Sequence, residues 1–173
     1  MIPTQNLVIA DRYRLERKIG QGGMGSVWLA RHLGLDIPCA VKFIEGDYAA
    51  LPEAQARFNR EAKAAAALRS PHVVQILDHG VWDGTPYMAM ELLEGEDLGK
   101  RLTRVGRMSP QDIGVIITQV ARALTKAHAA GIVHRDLKPD NIFLVHDDDR
   151  EIAKVLDFGI AKSNTGGIDG SNT

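Results

Sequence analysis

His134-Arg135-Asp136-Leu137-Lys138-Pro139-Asp140-Asn141, followed sixteen residues after Asn141 by Asp157-Phe158-Gly159, is the stretch on which the reading of this chain turns. It crowds carboxylates, basic groups and an amide into a short span bounded by apolar runs. Those runs, Ile132 to His134, Asn141 to Val145 and Ala153 to Asp157, read as three short strands. The last two are hinged by His146-Asp147-Asp148-Asp149-Arg150. The run of three aspartates there reads as a solvated turn rather than a metal site. Upstream, Ser109 as N-cap, Pro110 at N1 and Asp112 at N3 open a helix that Gly131 closes. Its apolar stripe is expected at Ile113, Ile116, Ile117, Val120 and Leu124.

Further out, Glu94-Gly95-Glu96-Asp97 reads as a polar, flexible break, which puts a boundary between two lobes near residues 92–96. Before it, residues 73–77 and 86–91 suggest a hairpin around Trp82, Asp83 and Gly84. Pro52 to Arg69 is helical in composition, with Pro52 and Glu53 in its first turn and Ser70-Pro71 at its end. A 3.6-residue period aligns Phe58, Glu61, Ala65 and Leu68. The alanines at 62 and 64–67 favour a helix but carry little apolar area, so loose docking is expected. Residues 37–44 form a strand with Cys39, Val41 and Phe43 on one face and Ala40, Lys42 and Ile44 on the other. A carboxylate on a buried helical stripe needs a partner, and Lys42 is the one on offer for Glu61. A surface carboxylate beside a snorkelling lysine is the alternative at this point.

Residues 13–19 alternate, then come glycines, then Val27 and Leu29, which suits two antiparallel strands joined by a glycine-rich turn. Gly20-Gln21-Gly22-Gly23-Met24-Gly25 fits G-x-G-x-x-G, a pattern that lets backbone N–H groups approach phosphate oxygens. By itself the pattern also fits a plain hairpin, or a dinucleotide-binding turn with Glu45 as the ribose-binding acid. The alternation at Val27 and Leu29, with Gly34 and Pro38 beyond, leaves little room for the helix that such a turn would open.

Composition narrows the function classes. The chain has 173 residues, 45% hydrophobic and 25% charged, as in an ordinary globular protein with its own core. The 21 basic and 22 acidic residues give a net charge of −1, and aromatics make up 5%, which disfavours a nucleic-acid partner. No apolar run approaches the roughly 18 residues of a membrane span, and no basic segment precedes the short apolar stretch near the start. The lone Cys39 reads as a small buried hydrophobe in a reducing compartment, so a cytoplasmic location is expected. Trp28 and Trp82 read as packing residues, and His32, His72, His79, His128 and His146 lack metal-ligand spacing.

Taken together, four motifs in one order resemble the eukaryotic-type (Hanks-type) protein kinases, most closely in texture the bacterial serine/threonine kinases. Residues 134–141 match H-R-D-x-x-x-x-N, Asp157-Phe158-Gly159 matches D-F-G, Gly20, Gly22, Gly25 and Val27 match the glycine-rich loop, and Cys39-Ala40-Val41-Lys42 matches the lysine strand. The resemblance implies a two-lobed α+β fold: residues 1–12 as an extension, 13–92 as an ATP-binding lobe with a five-stranded antiparallel sheet and one helix, and 93–173 as an incomplete second lobe. It implies ATP and Mg²⁺ as ligands and protein Ser/Thr hydroxyls as acceptors. Asp136 would orient the acceptor hydroxyl, Lys138 would steady the γ-phosphate, Lys42 would hold the α- and β-phosphates, and Glu61 would pair with Lys42. Asn141 and Asp157 would hold the metal. Residues 20–23 and 25 would cover the phosphates. Met90, the backbone of Glu91 and Leu93, and Ile19, Val27, Ala40 and Phe143 would surround adenine. His134 would organise the loop through hydrogen bonds.

The match ends inside what the resemblance makes the activation segment, with Ser163, Thr165, Ser171 and Thr173 as possible phosphoacceptors. A fragment missing the later helices is therefore expected, with part of the 110–130 stripe exposed and weak transfer activity. A nucleotide-binding or scaffold fragment without turnover is the alternative.

Overall fold

Strand alternation in the N-terminal part closes into one sheet, and the chain then builds a second, smaller one. The structure, a computed structural model, describes residues 3–22, 25–45, 51–147 and 150–158. The first sheet holds β1 (Val8–Ile9), β2 (Tyr13–Gly22), β3 (Gly25–His32), β4 (Ile37–Phe43), β5 (Ile76–Trp82) and β6 (Thr85–Glu91) in the order β1-β2-β3-β4-β6-β5. All neighbours are antiparallel. Six strands stand where the alternation predicts five, because Val8 and Ile9 pair with Arg14 and Tyr13 and Ile9 is fully buried. A two-residue strand is too short to leave a periodic signal.

The two faces of β4 feed two separate cores. Cys39, Val41 and Phe43 pack with Tyr13, Leu15, Trp28 and Tyr87 on one side. Burial pushes the Cys39 thiol up to about 11, so it serves as packing and not as a nucleophile. Ala40 faces the other side, where Phe58, Ala62 and Ala65 of α1 (Pro52–Ala66) cover it together with Met88 and Met90. The helical stripe is thus centred on Ala62. Glu61 lies one residue off that centre and is half-buried, a correction to the phase read from the sequence. Leu51, at the N-cap of α1, provides no side-chain cap bond, and two of the three buried side chains of α1 are alanines, so its docking rests chiefly on Phe58.

The second sheet, β7 (Gly95–Asp97), β8 (Ile142–Asp147) and β9 (Arg150–Val155), packs on α3 (Pro110–Ala129). The cap of α3 has the expected form: Ser109 Oγ accepts from the Asp112 N–H at 3.1 Å and donates to Asp112 Oδ2 at 2.7 Å. Its buried stripe runs through Ile116, Val120, Ala123 and Ala127, while Val115 and Ile117 remain 57% and 53% exposed. Ile117 is therefore off the stripe assigned to it.

Two other expectations change. Residues 95–97 are no flexible break: they pair with Val145, Leu144 and Phe143, and Gly95, at φ +145°, has Leu144 O 2.0 Å from where a Cβ would stand. Asp97 then caps α2 (Leu98–Val105), accepting from the Lys100 N–H at 2.8 Å. Glu96 bonds the guanidinium groups of Arg104 and Arg101, which hold its carboxyl down at about 2. Residues 132–134 form no strand, because the Ile132 N–H is used to cap α3 at Ala127 O, 2.9 Å away. Similarly, β5 starts at Ile76 rather than 73, since the Val74 N–H donates to Val155 O and the Val155 N–H to His72 O. Those bonds, with the parallel bridge Val73–Val155, tie the two sheets together.

Candidate active site

The β2–β3 hairpin carries the glycine motif, with Gly20 opposite Val27, Gln21 opposite Ser26 and Gly22 opposite Gly25. The described residues of the motif lie on two antiparallel strands, as the alternation predicts, and do not open a helix. Gly25 sits at φ +127°, and a Cβ there would stand 2.0 Å from Phe43 O, so β4 closes under the hairpin only because this residue is glycine. Gln21 Nε2 donates to Gly25 O at 3.3 Å across the turn. Gly23 lies outside the described residues. Glu45, considered above as a ribose ligand, instead accepts from Ser26 Oγ at 2.5 Å, and Ser26 Oγ accepts from Trp28 Nε1 at 3.1 Å. This small network, with Ser26 and Trp28 buried and Glu45 exposed, has no sequence pattern of its own.

β4 presents Lys42 opposite Val27 on one side and Met88 on the other. Its Nζ donates to Asp157 Oδ2 at 2.6 Å, joining residues 115 apart in sequence. The expected Lys42–Glu61 pair is not formed: Glu61 Oε2 is buried and lacks a hydrogen-bond partner among the described residues. The physical reason is the phase of α1, which gives Ala62 the inward position and leaves Glu61 beside it, while Asp157 presents its carboxylate at ion-pair distance. Asp157 holds φ +51° and Arg135 φ +62°, conformations that cost a non-glycine residue about 1 kcal/mol and are kept where the surroundings dictate them.

The 134–141 loop is held by its own polar groups. The Asp136 N–H donates to His134 Nδ1 at 3.3 Å, and His134 Nε2 lies 2.7 Å from Leu156 O, which fixes the tautomer with the proton on Nε2. Phe158 sets its ring against His134 edge-on at 5.0 Å. Asn141, on a 3-10 turn (Pro139–Asn141), donates from Nδ2 to Asp136 O at 2.8 Å and to Asp136 Oδ2 at 3.3 Å. Its backbone carbonyl accepts from the Leu156 N–H at 2.9 Å. Lys138 Nζ lies 3.6 Å from Asp136 Oδ2. Lys138, Asp136 and Asn141 thus form one linked group and Lys42 and Asp157 a second, and the Leu156 N–H on Asn141 O holds the residue before Asp157 to the first group.

Val27, Ala40, Met90 and Leu93 fall in one apolar cluster over the cleft. Ile19 is 40% exposed on β2, and Phe143 stands on β8 opposite Asp97 and Lys154, so neither joins that cluster. Behind Met90, a void of about 10 Å³ is lined by Val74, Ile76, Met88, Asp157 and Phe158. It is no larger than roughly one water, so the back wall is closed. Gly159 and the hydroxyls of residues 163, 165, 171 and 173 lie outside the described residues, as do Asp148 and Asp149.

Comparison with known proteins supplies the family. The sequence model for the protein kinase domain matches residues 13–171. This chain belongs to the protein kinase family. It is 44% identical over 153 residues to the serine/threonine-protein kinase PknH of Mycobacterium bovis, covering 88% of this chain and 25% of that protein. It is 43% identical over 164 residues to the serine/threonine-protein kinase pkn3 of Myxococcus xanthus, covering 94% and 30%. A crystal structure of a double mutant of the Mycobacterium tuberculosis PknI kinase domain superposes with a TM-score of 0.85 at 32% identity, over 95% of this chain and 65% of that one. The chain thus spans about a quarter to a third of the curated kinases it matches and about two thirds of the PknI kinase domain. Among the described residues, no helix of this kinase chain is long and apolar enough to cross a membrane.

Proposed function

We propose that this cleft binds ATP with Mg²⁺ and transfers the γ-phosphoryl group to Ser or Thr hydroxyls of proteins, in a reducing, cytoplasmic setting. The observation that carries the reading is the Lys42–Asp157 contact at 2.6 Å, which brings a cation suited to phosphates, on the first sheet, to a carboxylate suited to a metal, two residues past the end of the second. Phosphoryl transfer asks for charge neutralisation and in-line placement more than for covalent help. Lys42 supplies a fixed positive charge for the α- and β-phosphates, and the backbone of the β2–β3 turn covers them.

The donor set suits Mg²⁺. Asp157 and Asn141 offer hard oxygen ligands, and among the described residues no group of three or more His, Cys, Asp and Glu forms a cage that would hold a metal unaided. That is the donor set of an ion that arrives with phosphates and keeps its waters. Bound there, the ion would neutralise charge developing on the phosphates. Asn141 gives its Nδ2 to Asp136, and its amide oxygen is the atom that would serve as a metal ligand. Asp136, held by Asn141 and by its own N–H on His134, orients the acceptor hydroxyl and takes its proton. Lys138 beside it steadies the transferred group, and a lysine at this place supports Ser/Thr over Tyr acceptors.

The assay is incorporation of label from γ-labelled ATP into a Ser/Thr substrate protein. Wild type is expected to transfer label, and Lys42→Met and Asp136→Asn to reduce it by at least about a hundredfold. Equal incorporation in all three would defeat the assignment. Glu61 Oε2, without a partner among the described residues, favours a second reading, a nucleotide-binding scaffold without turnover. Mg²⁺-dependent ATP binding that survives Asp136→Asn, with no incorporation even in wild type, would select it.

A further inference from the structure

Residues 92–94 carry the chain from the six-stranded sheet to the three-stranded one, and beside that covalent link lies a non-covalent one. Glu91 is the last residue of β6. Its N–H donates to Gln75 O at 3.0 Å, and its Oε1 accepts both the Gln75 N–H at 2.8 Å and Lys154 Nζ at 2.6 Å. Lys154 belongs to β9, opposite Phe143, with its side chain 15% exposed against 30% for Glu91. Two donors, one of them a cation, therefore converge on one sheltered carboxylate oxygen.

We infer that the Lys154–Glu91 pair is a strut that fixes the end of β6 against the second sheet, making Lys154 a positioning residue for the adenine end of the nucleotide site. The inference rests on the ATP-binding reading, because it is the backbone of Glu91 and Leu93 that would meet adenine. Packing of the two sheets does not depend on this pair, since the bonds between Val155 and residues 72 and 74 hold β9 to the segment just before β5 without it. What Lys154 adds is restraint on the Glu91 side chain and, through the shared bond with Gln75, on the backbone that leads into residues 92–94. Loss of the strut should therefore loosen the adenine edge more than it lowers stability.

The test measures dissociation constants of adenosine and of Mg·ATP for the full chain, with thermal melts alongside. Lys154→Met and Glu91→Gln should each weaken adenosine and Mg·ATP by the same factor, roughly three- to tenfold, the scale of coupling between residues in direct contact. The double variant should be no weaker than either single one, and Lys154→Arg should restore most of the affinity. A lysine that merely attracts phosphate would give another pattern: Lys154→Met would weaken Mg·ATP and spare adenosine, and that result overturns the strut. Wild-type binding left unchanged in both single variants overturns it too. Wild type that binds neither ligand overturns the nucleotide reading and the strut with it. Should Lys154→Met fail to fold, Glu91→Gln, which keeps size and shape, decides alone.

Discussion

The loop at residues 134–141 and helix α1 flank the same cleft, but they are built by different means. In the loop, polar groups satisfy one another: His134 bonds on both ring nitrogens, and Asn141 bonds through its side chain and its backbone. Beneath it, Ile142, Leu144, Val155 and Phe158 are buried in one core with α3. Helix α1 rests on Phe58 and two alanines, starts without a side-chain cap bond, and leaves Glu61 Oε2 buried with no partner among the described residues. One side of the cleft is therefore held by convergent hydrogen bonds over a deep core. The other is held by a thin apolar face, so the position of Glu61 is determined far less firmly than that of Asp136 or Asn141.

The contrast can be broken by substitution. Leu144→Ala, at a fully buried position under the loop, should cost about 2–5 kcal/mol in urea unfolding, with no comparable cost available from the alanine face of α1. Ala65→Gly, in that face, should cost about 1 kcal/mol, mostly through helix propensity. If it costs as much as Leu144→Ala, the thin-docking account is wrong. Glu61→Gln should leave the melting temperature unchanged or raise it, since it removes a charge with a buried oxygen that has no partner among the described residues. A clear fall in melting temperature would show that the carboxylate is paired in solution. The effect that sharpens the contrast least is acidic. Arg104 and Arg101 hold Glu96 near 2 against an ordinary 4.5, so its contribution is fully present above about 4.5 and is lost as pH falls towards 2. Unfolding followed over that window should show a slope that Glu96→Gln removes.

Much of this was legible because it is local. Strand alternation locates β2, β3 and β4 and assigns Lys42 to the Ala40 face, and Ser109, Pro110 and Asp112 mark the start of α3 to the residue. What escaped is either too short or too distant. β1 has two residues and β7 three, and α2 follows a polar run whose helix-capping role at Asp97 appears only once β7 is paired with β8. The partner of Lys42 is 115 residues away, and a one-residue error in the phase of α1 was enough to favour Glu61. The Lys154–Glu91 pair is of the same kind, since 63 residues separate its members. Motif order points to the family, but which carboxylate meets the ammonium is a tertiary fact.

The most direct test of the cleft is the Mg²⁺ dependence of ATP binding, measured by calorimetric titration of wild type and Asp157→Asn with Mg²⁺ and with chelator. Wild type should bind ATP more tightly with Mg²⁺, and Asp157→Asn should lose that gain while still binding adenosine. An equal gain from Mg²⁺ in both proteins would mean that the carboxylate touching Lys42 does not hold the metal, and the account of the site would fail.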